Sequence, residues 1–422
     1  MAGLSTVETQ LVAALRGRQA AMAATLVDWA GINSGSRNLD GLAAMRAQVS
    51  ARLEPLADAV TVHAADPVTT LDDSGAEIAV PHGANLLARK RPDRTRRLIL
   101  TGHMDTVFPP DHPFQHCRRI DANTLGGPGT ADMKGGLIVM IEALAALEQA
   151  GAIDGIGWDV VVNADEEVGS LGSASLLRET ARRCQIGLTF EPSVTPEGRL
   201  ASARRGSGNF IATLTGRAAH AGRNPQDGRN AVVAAADLAV RLDALKHAIP
   251  GLSVNVARMT GGGANNVVPD HAALSWNMRP LDAEAQQQAE QAMATALDHI
   301  RHTHDVTIQR AGGFARPPKP FDARHALLFG LVRDAGADLG LAIDWQPSGG
   351  VCDGNNIAAE NVVVVDTMGV RGGAIHTDSE YMLLESLSER AALAAITILR
   401  IARGWLDGIV EHSREKEQGT HD

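Results

Sequence analysis

The 422-residue sequence has only three cysteines, Cys117, Cys184 and Cys352, far apart and without a C-x-x-C pair. This excludes a disulfide framework and a thiolate zinc site, and it fits a reducing, cytoplasmic compartment. Aromatic residues are scarce at 3%, so the core must rest on Ala, Val, Leu and Ile within a hydrophobic fraction of 44%. Positive charge is in deficit, with a formal net charge of −10, which argues against a nucleic-acid partner. No apolar run reaches the roughly 18 residues that would span a membrane. The first 31 residues read as an amphipathic helix carrying Glu8, Arg16, Arg18 and Gln19, without the uninterrupted apolar stretch of a signal peptide.

Apolar runs that end in polar or glycine-rich loops are plentiful. "RRLILTGHMD" reads as a strand ending near Thr101 and "WDVVVNADEE" as one ending near Asn163, followed by "QIGLTFEP" and "ENVVVVDTMG". Helical patterns fall at Met133 to Ala150, Ser173 to Cys184, Asp322 to Leu339 and Leu384 to Trp405. Continuous apolar strands alternating with helices indicate an α/β fold, with a mainly parallel sheet flanked by helices. The middle of the chain runs strand, helix, strand, strand, helix, strand, the ferredoxin-like order. This places a unit at residues 206–315 inserted into a larger domain of 1–205 and 316–422, with the prolines of "FARPPKPF" marking the return crossing. The charged end, "EHSREKEQGTHD", reads as frayed.

In a parallel sheet, function collects at the carboxyl ends of the strands. His103, Asp105, Glu166, Glu167 and Glu191 all follow such ends. A His-x-Asp pair is weak evidence alone, but in an extended segment both side chains point the same way. An imidazole that binds metal commonly hands its other N–H to a carboxylate. Asp132 lies in a glycine-rich turn before a helix, where an N-cap is the bland reading and a cation-bridging carboxylate the sharper one. Adjacent Glu166 and Glu167 suit a solvated turn, or a site where one carboxylate serves a cation and the other moves protons. His376 follows a further strand and a glycine pair. A set of histidines and carboxylates without thiolate suits Zn²⁺ and is compatible with Co²⁺ or Mn²⁺.

The segments "GHMDTVFP", "GPGTADMKGGL", "NADEEVGSLGS", "FEPS", "GRAAHAGRNPQDGRNA", "NNVVPD" and "GAIHTDSEYM" resemble, over nearly the whole chain, the M20 family of metal-dependent peptidases, within it the glutamate carboxypeptidase (carboxypeptidase G2-like) branch. The resemblance implies a homodimer whose catalytic domain holds two Zn²⁺ per subunit and whose smaller ferredoxin-like domain carries the dimer contact and acts as a lid. It implies that His103 and Glu191 hold one metal, that Glu167 and His376 hold the other, and that Asp132 bridges them before a cis peptide bond. Asp105 would orient His103, Glu166 would be the catalytic base, and His220 would reach the partner's site as oxyanion donor. Outside the resemblance, His220 is an ordinary turn histidine and Arg279 an ordinary strand-end arginine. Asn266, Arg279 and Arg316 match positions that grip the substrate carboxylate, an arginine fork being suited to that task.

The implied activity releases a C-terminal amino acid, with glutamate a candidate, from a peptide or N-acyl-amino acid. An N-acyl-amino-acid deacylase of the acetylornithine deacetylase or aminoacylase type is the alternative, and a non-catalytic metal- or peptide-binding homologue the rival of another class. Cys352, in the "SGGVCDGNN" loop, stands where relatives often carry Thr or Ser and has no base beside it in sequence. His112 and His116 read as loop residues.

Overall fold

The computed structural model describes residues 3–405 and Asp407; the charged end read as frayed lies outside the described residues. Strands Arg97–His103, Gly157–Asn163, Ile186–Thr189 and Val363–Val365 form the parallel part of a six-stranded sheet, with Val363–Val365 at its edge. Strands Asn85–Lys90 and Ala59–His63 add to the other edge in the antiparallel sense. The fold is thus α/β with a mainly parallel, helix-flanked sheet, with antiparallel edge strands that the sequence pattern does not separate from the rest.

Both faces of this sheet are buried, which is why its strands read as continuous apolar runs. Leu98, Leu100, Val160, Val162, Val363 and Val365 pack into the larger hydrophobic cluster with helices Lys134–Gln149 and Ser386–Ala402. Their alternating neighbours Ile99, Val161 and Val364 pack on the other side with Leu177 and Ile357. The amino-terminal stretch forms two helices, Thr6–Gly17 and Gln19–Ala30, in place of one. The break falls at Gly17-Arg18, where the Arg18 N–H turns back to the carbonyls of Leu15 and Arg16.

A second sheet holds strands Ser207–Thr215, Ser253–Gly261, His271–Arg279 and Thr307–Arg316, all antiparallel. In sequence rank their spatial order is second, third, first, fourth. Helices Ala231–Ala248 and Ala283–His304 cover one face over a separate apolar cluster, in which Phe210 stacks on Trp276 at 5.4 Å. Among the described residues, no helix is long and apolar enough to cross a membrane.

The segments that run between the two sheets are held by buried charge. Asp366, fully buried, accepts from Arg204 Nε at 2.8 Å and lies 3.0 Å from Lys319 Nζ. Replacing one member of such a cluster strands the others without a partner. Asp366→Asn should lower stability by about 3–5 kcal/mol, read as a lower denaturant midpoint, and adding Lys319→Met should restore part of that loss.

Candidate metal centre

The strand Arg97–His103 delivers His103 at its last position, in register with Asn163 on the neighbouring strand. Just beyond Asn163, a short helical turn over Glu166–Val168 carries the paired glutamates. Glu191 follows the next strand, Ile186–Thr189, and His376 follows the two-residue strand Gly372–Gly373. Asp132 precedes helix Lys134–Gln149, but the N-cap is Met133, so Asp132 does not serve as that cap. The peptide bond from Asp132 to Met133 is cis.

These side chains converge. Asp132 Oδ1 lies 3.1 Å from His103 Nε2, and Asp132 Oδ2 lies 3.3 Å from His376 Nε2. Glu191 lies 3.7 Å from His103 Nε2, and Glu167 lies 3.0 Å from His376 Nε2. Two groups result, His103–Asp132–Glu191 and Asp132–Glu167–His376, each with its ligand atoms within 4.8 Å of one another. Asp132 belongs to both. Glu166 belongs to neither; its carboxylate is 4.0 Å from His103 Nε2 and 2.8 Å from Arg316.

The electrostatics of the cluster call for positive charge. Burial raises the pKa of Glu167 well above its ordinary value, and Asp132 adds repulsion. Burial likewise raises Glu191, with repulsion from Asp132. Burial opposes the charged form of His103, yet Glu191, Asp105 and Asp132 together hold its pKa well above the usual value. Burial pushes Glu166 up to about 7 against the pull of Arg316. Glu191 Oε1 is buried without a hydrogen-bond partner among the described residues, and a bare buried oxygen of this kind is costly. Carboxylates crowded at this density, beside imidazoles that would turn into neutral donors on binding a cation, fit a cation better than they fit one another.

The backbone that presents the ligands is itself pinned. Asp105 accepts from the amides of Glu166 and Glu167 at 3.1 and 3.2 Å and from Ser36 Oγ at 2.7 Å, while lying 3.3 Å from His103 Nδ1. Glu380, buried, accepts from the amides of Ala131 and Asp132 at 2.9 and 3.1 Å and of Gly129 at 3.3 Å. Sequence reasoning missed Glu380, although it stands four residues after His376. An acidic residue at that spacing is the only local signal, and its partners lie about 250 residues away.

A cavity of about 710 Å³ opens beside the cluster, lined by Asp132, Glu166, Glu167, Glu191 and His376, and by Arg204, Arg279 and Arg316. Arg316 is buried against Glu166, Ser170 and Asp353. His220 and Asn266 do not line this cavity. They sit side by side on the exposed surface, where His220 pairs with Val267 and the Asn266 carbonyl accepts from Ala221. Cys352 lines the cavity, and burial raises its thiol well above its ordinary pKa, with Asp366 adding to the effect, which disfavours the thiolate. His112 is tied into its own loop by the Phe114 amide, and neither His112 nor His116 lines the cavity.

The model of peptidase family M20/M25/M40 matches residues 99–400. Carboxypeptidase G2 of Pseudomonas sp. (strain RS-16) is 28% identical over 400 residues, covering 93% of this chain and 92% of that protein. Succinyl-diaminopimelate desuccinylase of Xanthomonas oryzae pv. oryzae (strain PXO99A) is 27% identical over 323 residues, covering 72% of this chain and 83% of that protein. Among solved structures, aminopeptidase PepT of Bacillus cereus ATCC 10987 superposes with a TM-score of 0.70 at 23% identity, covering 91% of this chain and 99% of that one.

Glu380→Gln leaves one oxygen for three amides and turns an NH₂ group toward a backbone donor. The expected outcome is a metal affinity lower by about 10–100-fold with the fold retained, read by competition with a chromophoric chelator.

Proposed function

Because the chain belongs to peptidase family M20/M25/M40 and is a metal-dependent hydrolase, we propose that it is a dinuclear zinc enzyme that cleaves an amide bond and releases a C-terminal amino acid, with glutamate a candidate. The observation that carries this reading is the sharing of Asp132 between two three-residue groups, with Glu166 beside them and in neither. His103 and Glu191 would hold one cation, Glu167 and His376 the other, and Asp132 would bridge. Cations held there would polarise a scissile carbonyl and allow water to ionise near neutral pH.

Glu166 takes the proton from the attacking water and returns it to the leaving nitrogen. Arg316, 2.8 Å away, keeps the Glu166 carboxylate in place and balances its charge. This assigns Arg316 to the base and leaves Arg279 for the substrate. Arg279 lines the cavity and has no carboxylate partner among the described residues, so its charge is available to a substrate carboxylate.

The remaining assignments follow the same reading. Residues 206–315 form an inserted ferredoxin-like domain, which the sheet order and the separate apolar cluster support; the family resemblance adds that it closes over the site and makes the homodimer contact. His220 and Asn266, exposed and outside the cavity, are then supplied to the site of the other subunit, His220 as the oxyanion donor. The three free cysteines support a cytoplasmic setting. A second reading, N-acyl-amino-acid deacylation, is favoured by the desuccinylase relative. The two differ in which half of the substrate is gripped, and a panel of N-acyl-amino acids and dipeptides scored for the amino acid released separates them.

Glu166→Gln should reduce turnover by at least about 100-fold while metal content stays near that of the wild type; retained turnover rejects Glu166 as base. His220→Ala should lower kcat by about 100–1,000-fold with metal unchanged. Mixing the His220→Ala and Glu166→Gln proteins should then regain activity through hybrid dimers, in which one site has both groups.

A further inference from the structure

The three arginines that line the cavity differ in what holds them. Arg316 lies against Glu166 and Arg204 against Asp366, each at 2.8 Å. Arg279 is held by neutral acceptors: its Nε donates to Asn277 Oδ1 at 3.0 Å and its Nη1 to the Gly349 carbonyl at 3.1 Å. Its Nη2 has no hydrogen-bond partner among the described residues.

Asn277 stands two residues before Arg279 on strand His271–Arg279, so both side chains leave the same face of the sheet. That face also lines the cavity through Ser207 and Asn209. Asn277 Nδ2 donates to Asn209 Oδ1, on its direct cross-strand neighbour, at 2.8 Å, and lies 3.1 Å from Ser207 Oγ. With both N–H groups committed to that side, the amide oxygen is left facing Arg279. A neutral oxygen orients a guanidinium without cancelling its charge, which a carboxylate in the same place would do.

We infer that Asn277 is a specificity-determining positioning residue: it fixes the Arg279 fork so that the free Nη2 edge meets a carboxylate on the substrate. The inference rests on the reading that a free carboxylate flanks the scissile amide. It extends that reading by naming what makes Arg279 selective for the anion. A long arginine side chain left unrestrained spreads over many rotamers and meets the same carboxylate more weakly.

The test uses the zinc-loaded full-length enzyme, the best substrate of the panel above, and the carboxamide of that substrate. Asn277→Leu, which keeps the shape and loses the acceptor, should raise KM for the acid about tenfold. The preference for acid over amide, measured as a ratio of kcat/KM, should fall by the same factor. Asn277→Ala is read in parallel, so that a folding defect in one variant leaves the other to decide. Adding Asn277→Leu to Arg279→Leu should cause no further fall in preference, because the asparagine acts through the arginine. If Arg279→Leu abolishes the preference while both Asn277 variants keep it, the positioning role is overturned and the carboxylate reading stands. A wild-type enzyme that cleaves the carboxamide as readily as the acid overturns that reading, and the role of Asn277 with it.

Discussion

A single buried carboxylate, that of Asp105, fixes the geometry on which the site depends. It is fully buried, and it touches His103 on one strand end, the amides of Glu166 and Glu167 beyond the next, and the Ser36 hydroxyl from the amino-terminal region. Parallel pairing brings His103 level with Asn163, but sheet register alone does not orient side chains on the loops that follow. Asp105 supplies that orientation by accepting from two backbone amides with a charged oxygen pair. The imidazole and the two glutamates therefore keep a fixed relation whatever occupies the space between them.

The chain balances its buried negative charge in three ways. Asp366 is paired with Arg204 and Lys319, and Asp353 lies beside Arg316. Asp105 and Glu380 are satisfied largely by backbone amides. Asp132, Glu167 and Glu191 have, among the described residues, only imidazoles within ion-pair distance, and one Glu191 oxygen has no hydrogen-bond partner there. Burying a carboxylate without compensation is expensive. The difference between these sets separates residues that hold structure from residues suited to hold a cation, and it does so without reference to any relative.

The strands of the main sheet were legible because both faces are buried, so that Leu98, Ile99 and Leu100 sit in a row with no polar interruption. His103, Glu166, Glu167 and Glu191 were legible because each stands just past such a run; Asp132 and His376 were legible only from the glycine-rich turns before them. What escaped the sequence has both local and distant causes. The amino-terminal helix breaks at Gly17-Arg18, a point that the apolar periodicity does not mark. A small hairpin, Thr69–Leu71 with Glu77–Ala79, was not foreseen; it lies over the second sheet, with Asp73 paired to Arg258. Arg316 reads in the sequence only as a substrate-binding arginine. Its contact with Glu166, 150 positions away, has no local signal. Glu380 had little signal beyond its spacing from His376, because its partners are backbone amides, which carry no residue identity.

The adjacent glutamates are where local geometry and long-range packing meet. In a helical turn, consecutive side chains diverge by roughly 100–120°, so Glu166 and Glu167 cannot face the same partner. Glu167 turns to His376 and Glu166 to Arg316, while their amides stay fixed on one carboxylate. Swapping the order of two identical residues changes nothing in composition; the turn and its anchors alone decide which carboxylate meets His376 and which meets Arg316. Arg316 enforces the division, because a guanidinium beside Glu166 makes that position unfavourable for a cation. A guanidinium beside one glutamate and an imidazole beside the other give a pair of like charges two different environments, and so suit them to two different jobs.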